Sequence, residues 1–113
     1  MAKNNKENYY KRVYEITMQI PVGRVTTYGT IAQYLGIASA ARMVGYALNR
    51  SPADVPAHRV LNRNGELTGR GHFPGDTMRE RLRQENVEFV DEYQVDLDQH
   101  FWDPQEHLSI DRP

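Results

Sequence analysis

The chain of 113 residues contains no cysteine. Without a thiol it can form no disulfide, no thiolate metal site and no cysteine nucleophile. Three of its four histidines, His72, His100 and His107, show no ligand spacing with acidic partners, which argues against a zinc site. We therefore expect neither a metal nor a cofactor.

Long apolar runs are absent as well. No stretch approaches the roughly 20 apolar residues that span a bilayer, and the polar start MAKNNKENYY does not resemble a signal peptide. We therefore expect no membrane association. The length fits one compact domain, and 39% hydrophobic with 26% charged residues is ordinary for a globular protein.

The net charge of −1 hides two regions of opposite charge. Residues 1–83 hold 13 Lys and Arg against 6 Asp and Glu, whereas residues 84–113 hold one Arg against 9 acidic residues. A basic body of this kind can bind a polyanion while the acidic segment faces elsewhere. Alternatively, the two regions attract each other within the fold, and charge alone favours the polyanion only slightly.

The first third of the chain begins with a helical pattern. Apolar residues near helical spacing predict a helix over residues 6–19, and Pro21 and Gly23 then break it. The segment 23–28 that follows is expected to be short and extended.

Two short helices are predicted next, over residues 28–35 and 40–50. Their caps are expected to be Thr27 and Ser39 at the two N-termini and Gly36 at the end of the first helix. Gly45, in the middle of the second helix, is expected to let the two helices approach closely. Two short helices joined by a tight turn are typical of a helix-turn-helix, although plain packing in a small α domain gives the same pattern.

Short extended segments and a loop follow this helix pair. Residues 56–61 are predicted as a half-buried strand or turn. The Asn-Arg-Asn-Gly sequence at 62–65 is a strong turn signal, after which residues 66–68 are expected to return as a short strand. Glycine and proline then predict a loop over 69–75.

The last predicted elements are a basic helix, a strand and an acidic tail. Asp76 or Thr77 caps a helix from residue 78 to about 85, Asn86 ends it, and residues 87–89 alternate like a strand. Two aromatic side chains are expected to hold the acidic tail against the body, Phe101 and Trp102.

Three segments of the sequence together resemble one family. They are Val25–Ala32 (VTTYGTIA), Ala40–Gly45 (AARMVG) and Pro56–Val60 (PAHRV). In this order they are similar to the DNA-binding half of the O6-alkylguanine-DNA alkyltransferases, over about residues 9–90. The resemblance implies a mainly α domain with a small β element, of the winged helix-turn-helix type.

The third segment departs from the family at one decisive position. There the family has Pro-Cys-His-Arg, whose cysteine accepts the alkyl group, whereas this sequence has Ala57. Alkyl transfer needs a thiolate, which no residue of this chain supplies. His58 and Glu85 match the histidine that activates the cysteine and the glutamate that orients it. They are predicted to be a vestige of the family's catalytic triad, as in the alkyltransferase-like proteins, so we expect no catalytic residue and no enzyme activity.

The resemblance also implies how DNA would bind. The helix over residues 40–50 docks in the minor groove, and the damaged nucleotide rotates out of the base stack. Tyr28 crowds the phosphate or sugar of that nucleotide, and Arg42 fills its vacated place. The small residues Ala41 and Gly45 let the helix enter the groove. Further phosphate contacts are expected from Thr26, Thr27 and Ser39.

A pocket for the flipped base is expected beside Ala57, where the missing cysteine leaves room for alkyl groups larger than methyl. Its predicted lining is Ser51, Pro56, Ala57, His58, Gly69, Arg70 and Gly71. The resemblance implies that Arg70 stacks on the alkylated guanine. Ser51 stands where alkyltransferases usually have an asparagine that braces the active-site turn, which further weakens the case for catalysis.

The predicted function is recognition of O6-alkylguanine in double-stranded DNA, with the lesion passed to nucleotide excision repair proteins. We expect a DNA-binding domain over residues 1–99, an acidic tail over 100–113 and a monomeric protein. Its place would be the cytoplasm, with the nucleoid of a prokaryote, or the nucleus.

Two other hypotheses remain open at this point. In the first, His58 and Glu85 act as a general-base pair that activates water against the alkyl group or the glycosidic bond. In the second, the protein is a helix-turn-helix transcription factor that reads the major groove. That reading is weakened because residues 40–43 offer Arg42 as their one polar side chain for base contacts.

Overall fold

The computed structural model describes residues 5–108, which fold into helices and two small two-stranded sheets. The helices are α1 (Asn5–Thr17), α2 (Tyr28–Tyr34), α3 (Ala41–Asn49), α4 (Thr77–Gln84), α5 (Leu97–His100) and α6 (Pro104–Leu108). The strands are β1 (Thr26–Thr27), β2 (Val60–Leu61), β3 (Phe89–Asp91) and β4 (Gln94–Val95). The predicted mainly α fold with a small β element is confirmed. Within residues 5–108, no helix combines the length and apolar character needed to cross a membrane.

Helix α1 ends two residues before the predicted limit. Its last residue, Thr17, is buried, and the Thr17 hydroxyl donates to the carbonyl oxygen of Val13 at 2.7 Å. Tyr9 and Val13 face the core from this helix. The hydroxyl of Tyr14 donates to the Ala47 carbonyl at 2.8 Å, which ties α1 to α3.

The predicted caps of α2 are confirmed. The backbone N–H of Thr30 donates to Thr27 Oγ1 at 3.1 Å, so Thr27 is the N-cap. At the other end Gly36 has φ +93°, and its N–H donates to Gln33. The next N–H, that of Ile37, donates to the carbonyl of Ala32, which completes a Schellman motif.

Two predictions about α3 were wrong. Ser39 does not cap the helix, because residues 38–40 form a 3₁₀ turn and the N-cap is Ala40, without a side-chain hydrogen bond. Gly45 does not mediate close helix packing, since a Cβ added there would meet no atom within 4 Å. The face of α3 that packs inward is formed by Val44, Ala47 and Leu48 instead.

Strand β2 pairs with β1 rather than with a hairpin partner. The two strands are parallel, with Thr26 opposite Val60 and Thr27 opposite Leu61. The predicted turn at 62–65 is present, with Gly65 at φ +81° and its N–H bonded to the Asn62 carbonyl at 2.9 Å. The predicted strand over 66–68 is wrong, because Glu66 makes only an isolated bridge, to Gln94 of β4. A local sequence pattern can predict that a strand is present, but it does not show which distant strand it pairs with.

Helix α4 and its end follow the prediction closely. The helix begins one residue early, after Asp76, and ends at Gln84. Asn86 has φ +65°, and the N–H of Val87 donates to the Leu82 carbonyl at 3.0 Å, a second Schellman motif. Because Val87 takes part in this motif, the predicted strand over 87–89 starts two residues later, at Phe89.

Two hydrophobic clusters lie on either side of the β1–β2 pair. The first joins α1, α2 and α3 and includes Tyr9, Val13, Ile20, Ile31, Ala32, Leu35, Val44, Ala47, Leu48, Val55, Val60 and Trp102. The second lies under α4 and the β3–β4 sheet and includes Val25, Leu61, Leu67, Met78, Leu82, Val87 and Val95. Val60 and Leu61 are neighbours in β2 but belong to different clusters, because successive side chains of a strand point to opposite faces.

The segment after residue 99 is held to the body by Trp102. The N–H of Trp102 donates to the Val25 carbonyl at 2.7 Å, and its side chain is only 4% exposed in the first cluster. Its ring stacks on His107, with centroids 5.8 Å apart. Phe101 forms a backbone bridge with Val25, but its side chain is exposed, so only Trp102 acts as expected. The boundary at residue 99 remains a prediction, and residues 109–113 lie outside the described part.

Candidate functional site

The helix-turn-helix formed by α2 and α3 carries the two side chains predicted to act on the flipped nucleotide. Tyr28 is the first residue of α2, directly after the buried strand β1, and is half-buried. Burial raises the pKa of Tyr28, opposed by a side-chain hydrogen bond with Thr68. The phenol therefore stays protonated at neutral pH and can donate a hydrogen bond.

Arg42 lies exposed on the first turn of α3. No acidic side chain within residues 5–108 forms an ion pair with it. Its neighbour Ala41 is half-buried, and the open space beside Gly45 leaves this face of the helix without bulk at that point. A free guanidinium on a helix face with small residues can enter a narrow groove.

The other predicted phosphate contacts differ in their accessibility. Thr26 and Thr27 are buried, and the Thr27 hydroxyl is used in the N-cap of α2. Ser39 is exposed in the 3₁₀ turn before α3, and its hydroxyl is not used as a cap. Of the three, Ser39 alone presents its side chain freely to a ligand, whereas Thr27 acts by ordering the start of α2.

A pocket of about 180 Å³ opens between the end of α3, the Ala57 turn and the loop after Leu67. Its lining residues are Tyr28, Leu48, Asn49, Ser51, Pro52, Ala53, Val55, Ala57, Gly69, His72, Phe73, Met78 and Arg81. Ala57, at the family's acceptor position, therefore faces the same space as Tyr28 of the helix-turn-helix. This geometry places the predicted base pocket next to the predicted flipping residue.

Only part of the predicted lining faces this pocket. Ser51, Ala57 and Gly69 line it, as expected. His58 is directed towards Glu85, and Arg70 lies over the ring of Tyr93 with 3.9 Å between its Cζ atom and the ring centroid. Pro56 and Gly71 are likewise not among the lining residues.

Sequence reasoning missed other pocket residues. His72 and Phe73 line the pocket from the loop, Asn49 from the end of α3 and Arg81 from within α4. Phe73 gave a usable signal, because a large aromatic within a glycine- and proline-rich loop is expected to be anchored against the body. The other three required the tertiary structure, since their sequence neighbourhood resembles any polar surface.

The 3₁₀ turn of Ala57–Arg59 is fixed to the end of α4 by one carboxylate. Glu85 Oε2 accepts from His58 Nε2 and from Arg59 Nη2, both at 2.8 Å, while Glu85 Oε1 accepts from Arg59 Nε at 3.0 Å. Arg59 also donates to the Ile20 carbonyl at 2.9 Å. All of these side chains are largely buried, so the turn that positions Ala57 is braced from behind.

The titration of this cluster suits a structural role. Burial lowers the pKa of His58 and outweighs the hydrogen bond and negative charge of Glu85, so the imidazole is neutral at pH 7. Burial alone would raise the pKa of Glu85, but the hydrogen bonds from Arg59 and His58 and the positive charge of Arg59 lower it. Neutral His58 therefore donates from Nε2 to ionised Glu85. Its buried Nδ1 has no protein hydrogen-bond partner within the described chain.

No nucleophile accompanies this histidine. The residue before it is Ala57, whose methyl group carries no lone pair, and the chain has no cysteine. Within residues 5–108, no three His, Asp or Glu side chains are grouped so that they could hold a metal ion.

A second, wider groove borders the helix-turn-helix. It lies between α1 and the start of α3 and is lined by Asn8, Tyr9, Lys11, Arg12, Glu15, Ile37 and Met43. Met43 follows Arg42 directly, so the cations Lys11 and Arg12 border the exposed face of α3. No local pattern in the sequence predicted this contribution of α1.

The fold and site together define a helix-turn-helix DNA-binding domain with a pocket beside Ala57, a residue that cannot act as an acceptor. The family model for the DNA-binding domain of 6-O-methylguanine DNA methyltransferase matches residues 8–87. The chain belongs to this family and, with Ala57 at the acceptor position, to its alkyltransferase-like members. It is not an alkyltransferase, because it has no cysteine to accept an alkyl group.

Two relatives are similar to this chain over most of its length. Alkyltransferase-like protein 1 of Schizosaccharomyces pombe is 37% identical, covering 87% of this chain and 97% of its own length. The DNA base-flipping protein of Escherichia coli is 39% identical, covering 86% of this chain and 76% of its own.

Solved structures show the same relationship. S. pombe Atl1 in complex with damaged DNA containing O6-carboxymethylguanine matches with a TM-score of 0.77 and 36% identity, over 87% of this chain and 97% of that one. The O6-methylguanine methyltransferase of Mycobacterium tuberculosis matches with a TM-score of 0.61 and 38% identity, over 69% of this chain and 48% of the enzyme.

Proposed function

We propose that this protein binds O6-alkylguanine in double-stranded DNA, rotates the damaged nucleotide into the Ala57 pocket and leaves the alkyl group in place. The observation that carries the proposal is that Ala57 and Tyr28 line one pocket at the edge of the helix-turn-helix. The family's acceptor position and its DNA-binding element therefore meet at a space of a size to receive part of a base. Ala57 offers only a methyl group there, so a base can be held but not repaired.

Extrusion of the nucleotide is assigned to Tyr28 and Arg42. Rotating a base out of a duplex costs a few kcal/mol, less for a weakened pair such as one with a damaged base. Arg42 is exposed and has no ion-pair partner within residues 5–108, so its flat cation can stack on the neighbouring bases and bond to the unpaired cytosine. The protonated Tyr28 hydroxyl can donate to the phosphate of the rotated nucleotide.

Docking is assigned to the minor groove. Ala41 and Gly45 lie near Arg42 on α3, beside the exposed side chains of Met43 and Tyr46. Lys11 and Arg12 of α1 border this face. These cations would contact phosphates, which gives affinity without sequence preference. A damage sensor needs this combination, because it has to ignore sequence and respond to how easily a base pair opens.

Lesion recognition is assigned to the Ala57 pocket and the loop that carries Arg70. His72 and Phe73 line the pocket with Ala57, so an alkyl group on O6 can be enclosed without a cysteine side chain in the way. Arg70 is proposed to stack on the alkylated guanine, as the family resemblance implies. In this structure its guanidinium lies over the ring of Tyr93.

The relatives support this function. The S. pombe protein was crystallised with DNA containing O6-carboxymethylguanine, and the E. coli relative is named a DNA base-flipping protein. Binding without repair is useful only if another system follows. We therefore propose that this protein, as a monomer in the compartment that holds the DNA, marks the lesion for nucleotide excision repair proteins.

The first experiment compares two matched duplexes, one with a single O6-methylguanine and one with guanine, at a stated salt concentration. Tighter binding to the lesion duplex is expected, and mass spectrometry of the recovered DNA should find the methyl group in place. Equal affinity for both duplexes would contradict lesion recognition and favour a general or sequence-reading DNA-binding domain. Recovery of unmodified guanine would instead indicate an enzyme built on His58 and Glu85.

Arg42→Ala tests the role of the exposed arginine. We expect affinity for the lesion duplex to fall about ten-fold, because base stacking and a bond to the unpaired cytosine are lost. Arg83→Ala is the matched control, since it removes the same charge from an exposed position of α4 outside the helix-turn-helix. Equal losses in the two variants would show that Arg42 contributes only charge.

Tyr28→Ala tests extrusion apart from docking. A fluorescent base analogue placed beside the lesion reports unstacking. In Tyr28→Ala we expect the fluorescence change on binding to decrease more than the affinity for the lesion duplex does. The affinity is less affected because the phosphate contacts of α1 and α3 remain. If Tyr28→Ala gives the same fluorescence change as the wild type, Tyr28 has no role in extrusion.

A further inference from the structure

Arg70 lies on the far side of the loop that lines the pocket. Its neighbours Gly69, His72 and Phe73 face the pocket, whereas the Arg70 guanidinium lies 3.9 Å from the centroid of the Tyr93 ring. This distance is well within the range of a cation–π contact. The residue assigned to sense the lesion therefore rests on an aromatic ring outside the site.

The Tyr93 ring is itself held in place. A hydrogen bond with Asp76 and the negative charge of that carboxylate raise the pKa of the Tyr93 hydroxyl. Arg79 lies 5.7 Å from the same ring, pairs with Asp76 and donates to the Glu92 carbonyl at 2.7 Å. The backbone N–H of Leu67 donates to the Tyr93 carbonyl at 3.0 Å. The ring is thus a fixed platform, and Arg70 is the part able to move.

Charge also favours this position of Arg70. The groove that contains Arg70 and Tyr93 is lined by three carboxylates, Glu66, Asp91 and Glu92, and none of them forms an ion pair with Arg70 in the described part of the chain. Their field attracts the guanidinium without fixing it in a bonded geometry. A contact of this strength can be exchanged for another stacking partner.

The loop around Arg70 can transmit a displacement of Tyr28 by DNA to Arg70. Gly69 packs so closely on Tyr28 that an added Cβ would lie 2.8 Å from the Tyr28 hydroxyl oxygen. Displacement of Tyr28 by a phosphate would therefore press on the residue before Arg70. On the other side a Cβ added at Gly71 would meet no atom within 4 Å, so the loop has room to turn.

We propose that Tyr93 is a positioning residue that holds Arg70 outside the pocket in DNA-free protein and releases it when an alkylated guanine enters. The inference rests on the proposed function, because it assigns Arg70 a new partner during lesion recognition. In unmodified DNA no stacking partner reaches the pocket, and Arg70 stays on Tyr93. Breaking the contact between Arg70 and Tyr93 thereby adds a small free-energy cost to recognition, and only an alkylated guanine compensates for it.

The test compares Tyr93→Leu, which removes the ring, with Tyr93→Phe, which keeps the ring and loses the hydroxyl. Tyr93→Leu should bind the O6-methylguanine duplex about two- to five-fold more tightly, as expected from the loss of an exposed cation–π contact. Its affinity for the unmodified duplex should not change, and Tyr93→Phe should behave as the wild type. In an Arg70→Ala background, Tyr93→Leu should have no effect. Unchanged or weaker lesion binding by Tyr93→Leu would overturn the proposal.

A second readout does not depend on affinity. Over an aromatic ring, the Arg70 Nε–H proton resonates upfield, which NMR of the arginine side chains detects. The shift should be present in the wild type and Tyr93→Phe, absent in Tyr93→Leu, and lost when the lesion duplex is added to the wild type. A shift that persists in the lesion complex overturns the release step. If the wild type shows no lesion preference, the proposed function fails, while the shift in DNA-free protein still decides whether Tyr93 holds Arg70.

Discussion

At the scale of single residues, Glu85 connects the pocket to the rest of the fold. Its two carboxylate oxygens accept hydrogen bonds from His58 and Arg59, and Arg59 continues to the carbonyl of Ile20. In a chain that needs no base catalyst, this cluster has a structural use: it holds the turn of Ala57 against α4. The pair that matches the family's catalytic residues thereby keeps the pocket in shape.

Loss of the carboxylate should be costly. We expect Glu85→Ala to lower the free energy of unfolding by about 3 kcal/mol, because Arg59 would be left as a largely buried charge without its partner. Urea unfolding followed by circular dichroism measures this change. Glu88→Ala, at an exposed position three residues later, is the control and should cost little. Similar stabilities of the two variants would argue against the bracing role.

The same cluster predicts a dependence of stability on pH. The pKa of His58 lies below its ordinary value of 6.5 and that of Glu85 below its ordinary value of 4.5. In both windows the unfolded chain binds more protons than the folded one, so stability falls as the pH is lowered, first below 6.5 and again below 4.5.

Unfolding free energies measured from pH 8 down to about pH 4 test this sign. His58→Gln should remove the part of the loss that begins below pH 6.5 and leave the part due to Glu85. The control is His72→Gln, at an exposed position of the pocket loop. A His58→Gln profile identical to the wild type would show that His58 titrates alike in the folded and unfolded chain.

At the scale of elements, residues with positive φ decide where helices and turns end. Gly36 and Asn86 terminate α2 and α4 in Schellman motifs, and Gly65 closes the turn at 62–65 that follows β2. These ends were predictable, because glycine and asparagine adopt this conformation at little cost. The start of α3 was not, since a 3₁₀ turn replaced the serine cap suggested by Ser39.

A pair of glycine substitutions separates backbone conformation from steric clash. Gly36→Ala should cost about 1 kcal/mol, because φ is positive and no atom lies within 4 Å of the new Cβ. Gly65→Ala should cost more, about 2 kcal/mol or above, because its Cβ would also lie 2.7 Å from the Val95 carbonyl oxygen. Thermal and urea unfolding compare the two. Equal costs would mean that β4 moves freely away from the turn.

At the scale of the whole molecule, distant segments close the core. Trp102 inserts into the cluster built by α1, α2 and α3, and its N–H bonds to Val25 next to β1. The acidic region over residues 84–113 is therefore in part an element of the body. Val25 directly precedes β1, and β1 leads into α2, whose first residue is Tyr28. The same contact therefore supports the N-terminus of α2.

Trp102→Ala tests this closure. We expect the free energy of unfolding to fall by about 3 to 5 kcal/mol, the usual cost of removing a buried large aromatic side chain. The control is Phe101→Ala, whose side chain is 39% exposed and should cost far less. Denaturant unfolding of both variants gives the comparison. A small effect of Trp102→Ala would mean that the segment after residue 99 adds little to the fold.

The sequence by itself determined the local structure and the missing chemistry. Caps, helix periodicity and turn residues are encoded by neighbours in the chain, so α2, α4 and the turn at 62–65 were predictable. The absence of an acceptor was also determined, since an alanine cannot become a nucleophile in any fold. Family-specific segments then pointed to DNA binding and to Tyr28 and Arg42.

Only the tertiary structure decided which residues share a space. The parallel pairing of β1 with β2, the pocket joining Ala57 to Phe73 and the contact of Arg70 with Tyr93 all bring together positions far apart in the chain. No local sequence pattern encodes these tertiary contacts, because they depend on how the two hydrophobic clusters pack around β2. The sequence placed Arg70 in the pocket, while packing and a neighbouring aromatic ring placed it outside.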